Sequence, residues 1–168
     1  MKKLITLIFL FFSTNLIASE IAVIDIEFIF ANSKKGKLIN SEIIKTNNDL
    51  KEKFLSDEKK FTEREATIRS KKNILSTEEY EKEVNKFKED LKIYNQKKQK
   101  KFQEIQEINS KKIKDFYEIL NNVLINYSNE NNIQTVIDKK YILISKSNSD
   151  ITNPILEILN KWAYKWIV

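Results

Sequence analysis

Residues 50–94 read LKEKFLSDEKKFTEREATIRSKKNILSTEEYEKEVNKFKEDLKIY and decide the fold. Along the first half, apolar residues recur at steps of seven: Phe54, Phe61, Ile68 and Leu75. Along the second half, they alternate steps of four and three: Tyr80, Val84, Phe87, Leu91 and Tyr94. Between the halves, Ser76 and Glu79 form a capping box, so one helix has ended and another begins there. These spacings predict two helical arms that wind around each other as an antiparallel coiled coil.

This hairpin belongs to a longer stretch, from Lys37 to about Asn131, that contains neither glycine nor proline. The chain has one of each, Gly36 and Pro154, and they lie on either side of the stretch. Its richness in Lys, Glu, Leu and Ile favours helix throughout. We expect a helical hairpin arm at 37–130 with its tip at about 73–77. At 1.5 Å per residue, the outgoing arm is about 55 Å long.

The seam between the arms is expected to weaken toward the tip. On the outgoing arm, the positions that accompany the apolar heptad residues are charged: Asp57, Arg64 and Lys71. On the return arm, the run Gln96–Lys101 has no apolar residue, and the heptad phase slips before Phe102. We expect the return arm to bend at this run. The segment from Phe102 to Tyr127 regains apolar residues and is expected to pack into the body.

The two ends of the chain, 19–36 and 131–168, predict a small β body. The nearly continuous apolar run Ile21–Ile26 is typical of a buried strand. Ile133–Asp138 and Tyr141–Ser145 predict two more strands, joined as a hairpin by two lysines. Three short strands are too few for a stable sheet core in one chain, so the body is expected to need a partner subunit. The predicted fold class is α+β, with a long helical hairpin that projects from this body.

A last helix is predicted at the C-terminal end. Apolar residues at three- and four-residue spacings give it one face: Ile155, Ile158, Leu159, Trp162 and Trp166. Pro154 is tolerated in the first turn of such a helix. Asp150 or Thr152 is expected to cap it.

The first residues have the layout of a secretory signal peptide. Two lysines precede an apolar run at 4–12, which is too short to span a bilayer comfortably. We expect cleavage after Ala18, with Ser19 as the alternative site, and a single exported domain at 19–168. An uncleaved membrane anchor is the other interpretation. The net charge of +6 falls to about +4 without the leader, and because the chain has no cysteine its fold depends on packing.

The composition argues against an enzyme. The chain has no histidine and no cysteine, which removes the usual nucleophilic triads and zinc sites. One glycine is too few for a phosphate-binding loop or a dinucleotide fingerprint. Carboxylates alternate with lysines along the arms, which is typical of a solvated helix face. We therefore expect no catalytic residue, no metal and no cofactor.

Several motifs together resemble the Skp/OmpH family of periplasmic chaperones over nearly the whole of residues 19–168. They are the Ile21–Asp25 strand with Gly36-Lys37, the Leu75–Glu79 tip, and Asp150-Ile151-Thr152 at the start of a last helix. The resemblance implies a homotrimer, in which strands of three subunits form a small barrel and three helical hairpins surround a cavity. It further implies an ATP-independent periplasmic holdase, which binds unfolded outer-membrane β-barrel proteins in that cavity and prevents their aggregation during transit. No nucleic-acid partner is expected.

Two sets of side chains on the arms are candidates for binding. The client-binding candidates are Phe54, Phe61, Ile68, Tyr80, Phe87 and Tyr94, for each of which packing between the arms is the alternative role. Phe28 and Tyr117 are further residues that could face a client. The candidates for binding lipopolysaccharide or another anion, including anionic membrane lipid, are Arg64, Arg69, Lys71 and Lys72. General attraction and solubility are the alternative role of these charges.

Two rival interpretations remain at this stage. One is a structural coiled-coil protein of the cell envelope with one defined folded partner, for which an unbroken heptad seam is expected. The other is a basic protein that binds lipopolysaccharide, for which steep salt dependence is expected. The aromatic C-terminal tail, residues 162–168, is more aromatic than the family's usual ending, and we expect it to pack on the body.

Overall fold

A computed structural model describes residues 20–162 of the chain. The elements in order are strand β1 (Glu20–Ile24), helix α1 (Ile26–Asn32), helix α2 (Lys34–Ser70), helix α3 (Thr77–Glu130), strand β2 (Ile133–Asp138) and helix α4 (Thr152–Trp162). Short 3-10 turns follow α2 at Lys71–Asn73, follow β2 at Lys139–Tyr141, and precede α4 at Ser147–Ser149. The predicted leader with its cleavage site, and the tail beyond Trp162, lie outside the described residues.

The two long helices confirm the predicted hairpin. The outgoing helix α2 has 37 residues and the return helix α3 has 54. The capping box forms as predicted, because the Ser76 side chain accepts from the Glu79 backbone N–H while the Glu79 carboxylate accepts from the Ser76 backbone N–H. The hydrogen bond from the Ser76 side chain also lowers the pKa of Glu79.

Helix α2 begins earlier than the sequence predicted. The helix was expected to begin after Gly36, but Gly36 lies in its first turn. There the Gly36 N–H donates to the Ser33 hydroxyl oxygen at 3.1 Å. Its φ is not positive. A Cβ at this position would overlap the Phe30 carbonyl oxygen, so the glycine permits a close approach of α1 to α2.

The body contains a two-stranded parallel sheet. Ala22 lies opposite Val136, and Ile24 lies opposite Asp138. The connection between the two strands is the entire helical hairpin. On the other side of β1, the Ile151 N–H donates to the Val23 carbonyl at 2.9 Å, which attaches the segment before α4.

The predicted third strand at Tyr141–Ser145 does not form in this chain. The residues after β2 fold into a 3-10 turn instead, in which the Asp138 side chain accepts from the Lys140 N–H. A Lys-Lys connection lacks the positive-φ residues that a tight hairpin turn needs, which explains the difference. The side chains of Tyr141, Leu143 and Ile144 consequently lie in solvent, 76, 102 and 92% exposed.

The core lies where the base of the hairpin meets both chain ends. Its buried residues come from every element except β2: Ala22, Ile24, Ile29, Ile39, Phe116, Leu120, Val123, Ile151, Ile155 and Leu159. The return helix supplies the largest of them, Phe116, whose ring meets Phe30 edge-on at 5.0 Å. The predicted packing of the inner return arm is therefore confirmed.

Helix α4 closes the body. Asp150 is the residue that caps it, since its carboxylate accepts from the Thr152 N–H at 2.9 Å. The Thr152 hydroxyl serves another contact and accepts from the Asp25 N–H at 2.9 Å. At the far end of α4, the Asn160 side-chain oxygen accepts from the Lys34 N–H at 2.8 Å. The last helix thus bonds to the residue before α1 and to the first residue of α2, and these bonds help to set where the arms leave the body.

Within residues 20–162, no helix is both long enough and apolar enough to cross a membrane.

Candidate functional site

An aromatic seam holds the two arms together. Ring contacts run from the outer arm inward: Phe87 to Phe61 at 6.0 Å, Phe61 to Tyr94 at 4.9 Å, Tyr94 to Phe54 at 6.5 Å and Phe54 to Phe102 at 5.2 Å. Successive rings alternate between the two helices along the whole of this path. Tilted and edge-to-face pairs at these distances stabilise by about 0.5–1.5 kcal/mol each beyond area burial. The heptad pattern therefore corresponds to a real interface.

The six predicted client-binding residues all lie in or beside this seam. Phe54 and Ile68 are buried, and the other four are half-buried: Phe61, Tyr80, Phe87 and Tyr94. The Tyr94 hydroxyl donates to the Phe54 carbonyl at 3.3 Å, and burial raises the pKa of Tyr94. In this conformation of the arms, packing in the seam covers Phe54 and Ile68 and leaves the other four side chains partly open to solvent.

Ion pairs join the arms on both sides of the seam. Arg64 pairs with Asp90 at 2.7 Å, Lys71 with Glu83 at 3.1 Å, Lys112 with Glu42 at 2.7 Å, and Lys98 with Glu58. The charged positions Arg64 and Lys71, which were read as gaps in the seam, are thus bridges between the arms. Asp57 instead pairs within its own helix, with Lys60 at 3.1 Å. Pairs this exposed contribute little stability each.

The four anion-binding candidates at the outer arm are largely neutralised. Arg64 and Lys71 pair with acids on the opposite helix, and Arg69 pairs with Glu65 at 2.8 Å on its own helix. The Arg64 guanidinium also lies over the Phe87 ring at 5.6 Å. Lys72 is exposed at the tip. The outer arm therefore offers less uncompensated positive charge than the sequence suggests.

The polar run at 96–101 does not interrupt helix α3, so the predicted bend at this run stays a prediction. Lys98 from this run pairs with Glu58 and lies over the Phe54 ring at 5.3 Å. The hydrogen bond to Glu58 raises the pKa of Lys98. A lysine with an apolar stem and a paired head thus takes the place of an apolar seam residue.

Large apolar side chains also lie exposed along the arms. They are Leu38, Ile44, Leu55, Ile74, Ile93, Phe102, Ile108, Tyr117 and Ile125. Phe28 on α1, which the sequence analysis named as a residue that could face a client, is exposed as well. Most of this set was not predicted from the sequence, because apolar residues of the arms were assigned to the seam. Positions outside the heptad spacing were the signal that could have identified most of the exposed residues.

Acidic residues do not gather into a metal site in the part of the chain that the structure describes, where no cluster of three or more potential ligands occurs.

Comparison with known proteins gave a family and a fold. The family described as "Outer membrane protein (OmpH-like)" matches residues 20–159. The fold is similar to the crystal structure of a proposed OmpH-like outer membrane chaperone from Caulobacter crescentus, with a TM-score of 0.79 and 13% sequence identity over 84% of each chain. No curated protein matches this chain.

Proposed function

Since the chain belongs to the OmpH-like family of outer membrane proteins, we propose that it is an ATP-independent holdase chaperone of the periplasm. Its clients are unfolded outer-membrane β-barrel proteins, which it keeps from aggregating before they reach the outer membrane. Family membership supports the chaperone role itself. The contacts of the arms and the body support the finer parts of the proposal.

The observation that carries the proposal is the surface of the projecting arms. Isolated apolar side chains such as Ile44, Ile93 and Ile108 stand exposed among lysines and glutamates. Full burial of one such side chain stabilises by about 1.5–3 kcal/mol. Several partial contacts of this kind bind an unfolded chain without selecting one sequence. The interspersed charges keep the free arms soluble.

The body is incomplete as a single chain, which supports a homotrimer. A two-stranded sheet is marginal by itself. Directly after β2, Tyr141, Leu143 and Ile144 form an exposed apolar segment. In a trimer, this segment adds to the sheet of a neighbouring subunit and becomes buried. Three bodies joined in this way surround a cavity with six long helices.

The overall charge supports attraction of clients from a distance. The chain carries a formal net charge of +6, or about +4 without its leader. A net positive cage attracts acidic unfolded proteins at low ionic strength. Contact with anionic lipid or lipopolysaccharide is the weaker part of the proposal, because most candidate cations at the outer arm already pair with carboxylates.

Assembly is tested by light scattering of residues 19–168. The expected mass is that of three chains, and replacement of both Leu143 and Ile144 by Asp is expected to give monomers. A matched control replaces two exposed polar neighbours, Ser147 and Asn148, by Asp and is expected to stay trimeric. A wild-type monomer contradicts the trimer.

Client binding is tested with the same material and a denatured outer-membrane β-barrel protein diluted without nucleotide. If the chain instead forms a stable complex with one folded protein and does not bind the unfolded client, a structural envelope protein is favoured. Binding to lipopolysaccharide that falls steeply with salt and needs no unfolded protein would favour a surface binder.

A further inference from the structure

One gap in the seam lies midway along the arms, and we call it the mid-arm cleft. It is a cleft of about 390 Å³ between α2 and α3, with apolar walls made by Phe54, Leu55, Phe102 and Ile105. The pair between Lys98 and Glu58 lines it as well. Toward the tip, the aromatic seam continues through Tyr94 and Phe61, and a smaller gap of about 220 Å³ follows beside Ile68.

The cleft follows from the slip in heptad phase. The polar run at 96–101 shifts the next apolar residue, Phe102, away from the centre of the seam. Its ring stays within 5.2 Å of the Phe54 ring, yet Phe102 is 45% exposed. Across the cleft, Leu55 is 57% exposed. Two large apolar side chains therefore border a volume that none of residues 20–162 fills.

We propose that the mid-arm cleft is a discrete binding site for one aromatic side chain of an unfolded polypeptide. The proposal rests on the function proposed above and assigns it a specific subsite. The volume is at the small end of ligand pockets, which measure about 300–1,000 Å³, and suits one large side chain rather than a folded surface. An incoming ring meets the exposed ring of Phe102 in the tilted or edge-to-face geometry that aromatic pairs prefer.

The rim of the cleft fits the backbone of such a polypeptide. Three side-chain amides line it: Asn47, Gln106 and Asn109. An amide side chain both donates and accepts hydrogen bonds, so it pairs with backbone N–H and C=O groups whatever the sequence. The Lys98 ammonium is already paired with Glu58 and does not impose an acidic partner. Lys51 is a second cation in the lining and favours neutral or acidic neighbours over basic ones. The cleft therefore selects for an aromatic side chain without requiring one particular sequence around it.

The first experiment measures binding of a short unstructured peptide to the assembled chain. The peptide is rich in Ser, Gln and Asn and carries one central Trp, and a second peptide carries Ala in its place. We expect the Trp peptide to bind about tenfold more tightly, as burial of one large apolar side chain allows. The variant Asn47→Phe, which fills the cleft, is expected to abolish this preference.

The matched control for this variant is Asn48→Phe. Both asparagines are exposed neighbours on α2, but only Asn47 lines the cleft. Asn48→Phe is expected to keep the tenfold preference. Equal affinity of the two peptides for the wild type, or equal loss in both variants, overturns the proposal.

The second experiment locates the aromatic residue with a photo-crosslinking amino acid at position 55. Position 44 is the control, because Ile44 is similarly exposed, at 52%, and lies eleven residues away on the same helix, close to three turns. Crosslinks from position 55 are expected to map to the Trp of the peptide, and crosslinks from position 44 to scatter. Crosslinks from 55 that join two copies of this chain show that a second copy fills the cleft and overturn the proposal.

The cleft and the holdase function fail in distinguishable ways. If the wild type suppresses aggregation of an unfolded client but shows no aromatic preference, the cleft proposal alone is wrong. If the wild type prefers the Trp peptide and crosslinks to it from position 55, but does not suppress aggregation, the holdase function is wrong. The cleft then remains a peptide-binding site.

Discussion

Replacement of Gly36 by Ala tests how the arm is joined to the body, because helix propensity and packing predict opposite signs. Gly36 lies inside helix α2, where Ala is normally favoured over Gly by about 1 kcal/mol. A Cβ at this position, however, would overlap the Phe30 carbonyl oxygen and lie 2.8 Å from the carbonyl carbon and 2.9 Å from the Ser33 hydroxyl oxygen. Comfortable contact between carbon atoms needs about 3.5–4.0 Å, so α1 and α2 must separate by about 1 Å.

The size of the effect follows from these contacts. Overpacking against backbone costs about 1–3 kcal/mol and occasionally more. Separation also weakens the Ser33 cap, which adds about 1 kcal/mol. After subtraction of the helix-propensity gain of about 1 kcal/mol, we expect Gly36→Ala to lower the free energy of unfolding by about 1–3 kcal/mol. For a domain of this size, that corresponds to a fall in Tm of about 2–12 °C.

Thermal and urea unfolding, followed by circular dichroism, measure this difference. The matched control is Asn40→Ala, at an exposed position one turn further along the same helix, and it is expected to change stability by no more than about 0.5 kcal/mol. A Gly36→Ala chain that is as stable as the wild type, or more stable, would refute the close-approach argument.

Three further predictions concern the arms. Phe61→Ala removes a half-buried seam ring and is expected to cost about 2 kcal/mol, seen as faster amide hydrogen exchange in the outer arms only; exchange that rises equally in the body would contradict it. Ser76→Ala removes the cap of α3 and is expected to cost about 1 kcal/mol, with faster exchange confined to the tip. The hydrogen bond from Lys112 lowers the pKa of Glu42, so this pair stabilises at neutral pH and is lost as the pH falls through the lowered pKa. The stability difference between wild type and Glu42→Gln is therefore expected to shrink from pH 7 to pH 3, and an unchanged difference would be inconsistent with it.

Local signals made the arms predictable from the sequence. The capping box at Ser76 and Glu79 depends only on residues three apart, and it located the turn correctly. Heptad spacing likewise identified the residues of the seam. The face of the last helix was predictable for the same reason, since Ile155 and Leu159 are buried on it.

Features that depend on distant residues were not predictable. A glycine is required at position 36 because a Cβ there would overlap the Phe30 carbonyl oxygen. No local sequence pattern reveals that contact. The ion pair between Arg64 and Asp90 depends on the register of two helices, so the sequence showed only a charged seam position. The segment after β2 looked like a strand because Tyr141–Ile144 is apolar, but a strand needs a partner that this chain alone does not supply.

The distinction between seam and surface also clarifies the client-binding candidates. Apolar residues at heptad positions are the ones that the opposite arm covers, as with Phe54 and Ile68. Residues between those positions, such as Ile44 and Ile93, remain available to a client. In the function proposed above, one periodic set of apolar residues holds the shape of the arm and the other set binds the client.

The most direct test of the account is the fraction of a denatured outer-membrane β-barrel protein that stays soluble when it is diluted into residues 19–168 without nucleotide. The wild type is compared with a variant in which Ile44, Ile93 and Ile108 are Gln, and with a control in which the exposed Asn48, Asn85 and Asn95 are Gln. We predict that wild type and control keep most of the client soluble, while the isoleucine variant, though folded and trimeric, loses most of this effect. Aggregation that is as fast with the wild type as without it, or an isoleucine variant as protective as the wild type, would contradict the claim that these arms hold unfolded clients.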